Sequence, residues 1–226
     1  AVHLHGPQGS GREFLARVIH RQSSRRLRPF VPLDCRRLTP FDLKRTLQKT
    51  FETERNGEPT PVELQPGAIF LRNVTHLPRD VQQYLLSALV RPSPLNPTTP
   101  QLFSSDEAEL QSSVDTQHLI PELYYRLTAV TIEVPRLCDR PEDLPLLAQF
   151  FLEQVNRLGE VQRSGFGSET LERLRQYNWP GNVAELKAVV EEACQSAAGA
   201  LVRSDDLPFR FRTGIDAQRL APERTP

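Results

Sequence analysis

The residues with the clearest chemical meaning form a glycine-rich segment, GPQGSGRE, at positions 6–13. Its spacing matches the phosphate-loop pattern GxxxxGK[ST], with Gly6 and Gly11 at the fixed glycines and Gly9 between them. Such a loop directs backbone N–H groups at phosphate oxygens, and glycine permits the backbone angles and the close approach. The predicted nucleotide-binding residues are Gly6, Gly9, Ser10, Gly11, Arg12 and Glu13.

Two of these residues depart from the pattern. Arg12 stands where a lysine normally reaches the β- and γ-phosphates, and a planar guanidinium does not replace a compact ammonium freely. Glu13 stands where a serine or threonine would hold magnesium. A glycine-rich turn between a strand and a helix that binds no ligand is the alternative interpretation of the segment.

The second informative stretch, GAIFLRNVTHLP at positions 67–78, reads as a short buried strand that runs into a turn. It ends in Arg72 and Asn73, where a nucleotide-hydrolysing domain would carry two acids. An arginine neither accepts a proton nor ligates a cation, and an asparagine is a feeble base. The sequence therefore predicts a phosphate loop without the groups that activate water, and we expect no metal ligands here.

Composition limits the remaining options. The 28 basic and 28 acidic residues balance, so no overall field attracts nucleic acid or an anionic membrane. No apolar run approaches the roughly 20 residues that span a bilayer, and the N-terminus does not resemble a signal peptide. We expect a cytoplasmic protein, reduced cysteines, and, because the chain starts directly in a strand-like segment, a fragment of a longer protein.

Hydrophobic periodicity predicts an α/β fold with a parallel sheet covered by helices on both faces over residues 1–138. Its first helix, REFLARVIHRQ, should bury one stripe formed by Phe14, Leu15, Val18 and Ile19, and Thr39 should cap the next helix. The β signal ends at Pro141, and three amphipathic helices predict a small all-α domain over residues 139–208. Residues 209–226 are expected to form a flexible tail.

In this order the segments resemble a known family, the sigma-54 interaction domain, which is the AAA+ module of bacterial enhancer-binding transcription activators. The resemblance covers residues 1 to about 208 and includes the stretches GPQGSGREFLARVIHRQS, PFVPLDCRRL, GAIFLRNVTHLPRDVQQYLLSAL, PELYYRLTAVTIEVPRLCDRPEDLPLLAQFFL and YNWPGNVAELKAVVEEA. It implies a P-loop AAA+ core with a helical lid, and nucleotide bound between them and between the subunits of a ring.

The resemblance also implies roles for positions that this chain has changed. The family carries an Asp-Glu pair at Arg72 and Asn73, and arginines at Ile120 and Ala184. The first of those arginines acts across the subunit boundary and the second reports the nucleotide to the lid. Arg126 keeps a second arginine of the boundary.

The position that senses the γ-phosphate in the family falls on Asp106 or Glu107, where a carboxylate would repel phosphate. The GAFTGA motif, which contacts sigma factor in active members, has no counterpart between Thr39 and Gly67. We therefore doubt contact with sigma-54, and expect self-association or association with related AAA+ subunits. No helix-turn-helix follows the lid, so we expect no DNA-binding segment in this chain.

Three functions remain open on sequence grounds. The first is a degenerate regulatory or assembly module that binds ATP or ADP without hydrolysis and without Mg²⁺. The second is an active ATPase that remodels sigma-54 RNA polymerase, and the third is an interaction scaffold that binds no nucleotide. Arg72 either supplies the cation that magnesium and lysine otherwise provide, or pairs with Asp106, Glu107 or Glu13 across an empty pocket.

Two smaller features could be functional or purely structural. His3 and His5 share one face of the first strand, but no third ligand at a fixed spacing accompanies them, so core packing is favoured over metal binding. RQSSRRLRPF carries four arginines and is a candidate for an anionic partner, with a solvated loop as the alternative.

Overall fold

The computed structural model describes residues 1–51, 54–55, 58–59, 65–90, 100–116, 118–159 and 162–213. Contacts divide the chain into two compact units. The sheet unit contains Ala1–Gly6 and Gly11–Val134, and the helical unit contains Pro7–Ser10 and the chain from Pro135 onward. The proline-rich segment 91–100 lies outside the described residues apart from Pro100.

The sheet unit is built on a five-stranded parallel sheet, which confirms the predicted fold class. The strands of this unit are β1 (Val2–His5), β2 (Phe30–Asp34), β3 (Glu54–Arg55), β4 (Glu58–Pro59), β5 (Ala68–Arg72), β6 (Gln101–Asp106) and β7 (Thr131–Glu133). The order in the main sheet is β2-β5-β6-β1-β7. The short strands β3 and β4 pair with each other in antiparallel orientation.

Helices cover both faces of the main sheet, as β5 illustrates. The helices of this unit are α1 (Arg12–Gln22), α2 (Pro40–Phe51), α3 (Arg79–Val90), α4 (Gln111–Asp115) and α5 (Pro121–Leu127). Side chains alternate along a strand, so Ala68 and Phe70 pack in a cluster that includes α1, whereas Ile69 and Leu71 pack with α2, α3 and α5. A strand buried on both faces reads as the continuous apolar run AIFL.

The buried face of α1 differs from the predicted stripe. Ala16 and His20 are buried, Leu15 and Ile19 are partly buried against the sheet, and Phe14 is 55% exposed. Burial here follows the sheet contact rather than hydrophobicity alone. By contrast, the predicted cap of α2 is confirmed, because the Thr39 hydroxyl accepts a hydrogen bond of 3.2 Å from the backbone N–H of Asp42.

The helical unit contains α6 (Leu144–Leu158), α7 (Ser168–Arg175) and α8 (Asn182–Ser196) around one apolar core. It is not wholly α-helical, because β8 (Gly165–Phe166) and β9 (Leu201–Val202) form a short parallel pair. Two-residue strands carry no periodic pattern, so the sequence did not indicate them. No helix within the described parts of the chain is long and apolar enough to cross a membrane.

The start of the predicted tail is ordered. Residues 209–213 are helical, and Phe211 is only 2% exposed in the core of the helical unit, beside Tyr177 and Trp179. The expectation of a flexible tail from residue 209 is therefore wrong for 209–213, because an aromatic side chain found a packed partner there. Residues 214–226 lie outside the described part of the chain.

On the sheet, His3 is 1% exposed, and its Nδ1 shares a hydrogen bond of 2.9 Å with the Ser104 hydroxyl. Burial, followed by the neighbouring charge of His5, lowers the pKa of His3 from 6.5 to about 4. The imidazole is therefore neutral in the folded chain at pH 7. Protonation of His3 must oppose folding, because the unfolded chain binds that proton more readily.

We expect Phe211→Ala to lower the free energy of unfolding of the helical unit by about 3–5 kcal/mol, because it removes a buried aromatic side chain. Phe209→Ala is the matched control, since Phe209 is 73% exposed, and should change that energy by less than about 0.5 kcal/mol. Urea unfolding followed by the fluorescence of Trp179, the only tryptophan in the sequence, measures both. Equal effects of the two variants would contradict the packing described for Phe211.

We expect the lowered pKa of His3 to make the fold acid-sensitive. The contribution of neutral His3 to the free energy of unfolding is fully present above pH 6.5. It decreases, by up to about 3 kcal/mol, as the pH falls from 6.5 towards 4. His3→Asn, whose amide can keep the bond to Ser104, should flatten this dependence in urea unfolding between pH 7 and 4.5. His118→Asn, at an exposed histidine, should leave it unchanged, and parallel curves for wild type and His3→Asn would contradict the prediction.

Candidate functional site

The predicted site lies at the edge of the sheet where the parallel strands end. Asp34, Arg72 and Asp106 are the last residues of β2, β5 and β6, and Asp34 is directly opposite Arg72 in the register. The carboxyl ends of parallel strands meet at one edge, which is where ligands bind in open α/β sheets. The helix α1, which follows the phosphate loop, begins beside the same edge because β1 pairs with β6.

Arg72 is held between two acids. Its Nη2 donates to Oε2 of Glu13, and its Nη1 lies 3.8 Å from Oδ2 of Asp34. Glu13 also accepts from Nη2 of Arg17 at 2.7 Å. Of the three partners proposed for Arg72 on sequence grounds, Glu13 is the one that the structure shows, and Asp34 is an additional partner that the sequence analysis missed.

This set of contacts, Arg17–Glu13–Arg72–Asp34, is called the ion chain below. The Arg72, Glu13 and Asp34 side chains are partly exposed, by 41%, 25% and 18%, so the ion chain contributes little to the free energy of unfolding. Its importance is chemical. It places a guanidinium at the end of β5 and commits the Glu13 carboxylate to two arginines.

Asn73 completes the edge as a donor rather than as a base. Its Nδ2 donates a hydrogen bond of 3.0 Å to Oδ1 of Asp34. The backbone of Asn73 is left-handed, with φ 57°, and it opens a 3-10 turn at Val74–His76. Asparagine tolerates this conformation better than most residues with a side chain, so its presence also has a local structural reason.

Asp106 lies at the position expected to sense phosphate, and its carboxylate accepts hydrogen bonds from the neighbouring turn. Its Oδ2 accepts from the backbone N–H of Thr75 at 2.9 Å and from the Thr75 hydroxyl at 2.6 Å. Its Oδ1 accepts from the backbone N–H of Glu107 at 2.9 Å. These bonds fix the carboxylate at the end of β6 and do not involve Arg72.

Arg12, in the position of the usual lysine, is the buried cation of the site. It is 9% exposed, and its Nη1 has no hydrogen-bond partner among the described residues. Burial lowers the pKa of Arg12, whereas the carboxylates of Glu107 and Asp106 raise it and Arg72 lowers it. A buried guanidinium N–H without a partner is costly, and an anionic ligand would satisfy it.

The predicted glycines of the phosphate loop have the backbone that the motif requires. Gly6, Gly9 and Gly11 all have positive φ, of 146°, 78° and 103°. A Cβ at Gly6 would overlap the carbonyl oxygen of Val134, and one at Gly9 would overlap that of Gly181. A side chain at Gly6 or Gly9 is therefore excluded both by conformation and by space.

Within the helical unit, three consecutive loop carbonyls are held by hydrogen bonds. Asn182 Nδ2 donates to the carbonyl of Gln8 at 2.9 Å, and the backbone N–H of Ala184 donates to that of Gly9 at 3.2 Å. Arg140 Nη2 donates to the carbonyl of Ser10 at 2.7 Å. Ala184 thus contacts the loop through its backbone, and its methyl group supplies no charge where the family carries an arginine.

Ser10 itself is 2% exposed, and its hydroxyl has no hydrogen-bond partner among the described residues. It is the second buried polar group of the loop, after Arg12, that the described chain leaves unsatisfied. Buried polar groups in native structures are nearly always paired. Within the helical unit, a hydrogen-bonding ligand at the loop would satisfy the Ser10 hydroxyl.

The two positions implied to act at a subunit boundary differ in exposure. Ile120 is 8% exposed at the start of α5, and its backbone N–H donates to Oε1 of the buried Gln82 at 2.9 Å. Arg126 is exposed on the same helix, with Nη1 3.4 Å from the carbonyl of Leu89. Ile120 belongs to the core of the sheet unit, whereas Arg126 is accessible.

The acidic and histidine side chains at the edge are candidate metal ligands. The described residues include no group of three or more His, Cys, Asp or Glu that could hold a metal ion. His3 and His5 stack with ring centroids 6.3 Å apart, and the bond of His3 to Ser104 is that of a core residue. The donors at the edge do not suit Mg²⁺, because Arg72 stands among the carboxylates and pairs with two of them.

Sequence reasoning missed Asp34, Arg140 and Asn182. Asp34 had a usable signal, since it ends a predicted parallel strand, but its contact with Arg72 depends on β2 lying next to β5. Arg140 and Asn182 had no local signal, because their partners are 130 and 174 positions away.

Comparison with known families gives two adjacent matches. The model of the sigma-54 interaction domain matches residues 1–133, and the model of the AAA+ ATPase lid domain matches residues 138–223. These ranges follow the sheet unit and the helical unit. The first match alone covers more than half of the chain.

Individual relatives agree. The transcriptional regulatory protein ZraR of Escherichia coli (strain K12) is 33% identical over 220 residues, which cover 92% of this chain and 50% of ZraR. A crystal structure of NtrX from Brucella abortus in complex with ADP has a TM-score of 0.73 and 29% identity, covering 94% of this chain and 50% of that chain. The corresponding complex with ATP has a TM-score of 0.72 and 27% identity, covering 93% and 49%.

This chain therefore spans about half the length of these relatives. The family matches, the parallel sheet with its strand order, and the phosphate loop lead to one conclusion. The chain belongs to the sigma-54 interaction domain family, with an AAA+ P-loop core and a helical lid.

Proposed function

We propose that this chain is a sigma-54-activator-type AAA+ domain that has lost ATP hydrolysis and serves as a regulatory or assembly module in a bacterial transcription regulator. The observation that carries the proposal is the position of Arg72. It ends β5, pairs with Glu13 and Asp34, and is followed by Asn73, which donates to Asp34. A cation and an amide donor stand where hydrolysis would need a metal-binding acid and a base.

Phosphoryl transfer depends on positioning and on charge neutralisation around the metal. General-base assistance alone contributes about 10²-fold to 10⁴-fold in rate. An arginine that acts across a boundary contributes about 10³-fold to 10⁵-fold. The resemblance to the family assigns that position to Ile120, which is buried here. Losses of this size, taken together, would reduce turnover to the background rate.

Nucleotide binding, in contrast, has support from the site. In the sheet unit, Arg12 is buried with Nη1 unpartnered among the described residues, and Gly6 and Gly11 keep positive φ. The first turn of α1 also offers backbone N–H groups and the positive end of a helix dipole. Since NtrX was solved with ADP and with ATP, we propose that this domain binds either nucleotide without Mg²⁺.

The output of such a domain would be conformational. The exposed Arg126 remains available at the surface that the family uses between subunits, which supports self-association or association with related AAA+ subunits. The missing GAFTGA motif argues against direct contact with sigma-54. A bound nucleotide would then bias assembly without a hydrolytic cycle.

Titration with a fluorescent ATP analogue, combined with phosphate-release assays with and without Mg²⁺, tests the proposal. We expect saturable binding in both conditions and release indistinguishable from a no-protein blank. Steady Mg²⁺-dependent release that chelation stops would favour the active ATPase instead. Absence of binding in both conditions would favour the nucleotide-free scaffold.

Arg12→Gln provides the site-specific test. We expect it to weaken nucleotide binding by at least about tenfold, because it removes the buried charge beside the loop. Arg26→Gln, at an exposed position of the same charge change, is the matched control and should leave the affinity unchanged. Equal affinities of the two variants would show that the nucleotide, if bound, does not use the phosphate loop.

A further inference from the structure

We propose that the phosphate loop selects a nucleoside diphosphate over a nucleoside triphosphate, and that it does so without a divalent cation. The inference rests on the proposed function, because it specifies the ligand of the same loop. The charges fixed at the carboxyl edge of the sheet carry it. Among the described residues, they supply one buried cation, Arg12, and two acids, Asp106 and Glu107, whose charges act on it.

Most of the arginines described at this edge are already paired with carboxylates. Arg12 keeps Nη1 unpartnered among the described residues, whereas Arg72 already contacts Glu13 through Nη2 and Asp34 through Nη1. Arg17, the other arginine of the ion chain, pairs with the same Glu13. The positive charge that an incoming phosphate meets is therefore mainly that of Arg12.

Two carboxylates, those of Asp106 and Glu107, interact electrostatically with this cation. Asp106 ends β6, which pairs with β1, and His5 at the end of β1 lies directly opposite Asp106. Glu107 follows at once, so both acids lie beside the point where the chain leaves β1 for the phosphate loop. Their charges are also the two that favour the protonated form of Arg12 and raise its pKa, with Glu107 the stronger.

The Asp106 carboxylate cannot easily turn away from a ligand. Three hydrogen bonds from the Thr75 backbone, the Thr75 hydroxyl and the Glu107 backbone fix both of its oxygens. The Asp106 side chain is therefore held in place at the end of β6.

A triphosphate carries one more phosphate group than a diphosphate, and enzymes normally neutralise that group with magnesium and a lysine. Here the carboxylates of Glu13 and Asp34 already pair with Arg72. Among the described residues, Arg12 is therefore the main cation that can neutralise the phosphates. The additional phosphate meets Asp106 and Glu107 without a metal between them, and like charges at short range repel. A diphosphate keeps the contacts to the loop and avoids the repulsion.

Isothermal titration of the complete chain with ADP and with ATP, each in EDTA and in Mg²⁺, tests the inference. We expect ADP to bind at least about tenfold more tightly than ATP in EDTA. Addition of Mg²⁺ should change the ADP affinity by less than about twofold. Equal or tighter binding of ATP, or a large gain with Mg²⁺, overturns the inference and leaves the non-hydrolysing function intact.

Other outcomes separate the two proposals. If neither nucleotide binds, the selectivity and the nucleotide-binding part of the proposed function both fail. If phosphate is released steadily, the proposed loss of hydrolysis fails, while the measured ratio of ADP to ATP affinity still decides the selectivity. The two questions therefore have different readouts.

Glu107→Gln isolates the electrostatic cause. We expect it to narrow the ratio of ATP to ADP dissociation constants by about threefold, since an exposed charge acts weakly through solvent. Glu109→Gln removes the same charge from another exposed position of this segment and should leave the ratio unchanged. A ratio that is the same in both variants overturns the electrostatic argument, and circular dichroism melting curves establish that both remain folded.

Discussion

The pairing of Arg72 with Glu13 and Asp34 is the interaction on which the character of this edge depends. It joins the end of β5, the end of β2 and the first turn of α1 in one partly exposed network. The same three elements would have to present free oxygens if a divalent cation were to bind between them. With the guanidinium in that space, the carboxylates of Glu13 and Asp34 are paired with a cation of the protein itself.

Much of the core follows from local sequence. The phosphate loop was predictable because its glycines are fixed by backbone angles and close approach, which depend on a few consecutive residues. The continuous apolar run AIFL predicted a strand buried on both faces, and Thr39 predicted a helix start. Each of these features is determined by a few neighbouring residues in the sequence.

The features that could not be predicted depend on contacts between residues that are far apart in the sequence. The contact of Asp34 with Arg72 requires that β2 and β5 be neighbours, which no segment of the sequence states alone. The order of Phe211 required knowledge of the Trp179 and Tyr177 rings against which it packs. For α1, the exposed Phe14 shows that an apolar side chain at helical spacing does not always face the core, because the sheet decides which face is covered.

The hydrogen bonds from Asn182, Ala184 and Arg140 to the carbonyls of Gln8, Gly9 and Ser10 have a thermodynamic consequence for ligand capture. They restrict the backbone freedom of the loop during folding, so a ligand does not have to supply that ordering when it arrives. Preorganisation of this kind keeps a recognition surface rigid even when no reaction takes place on it.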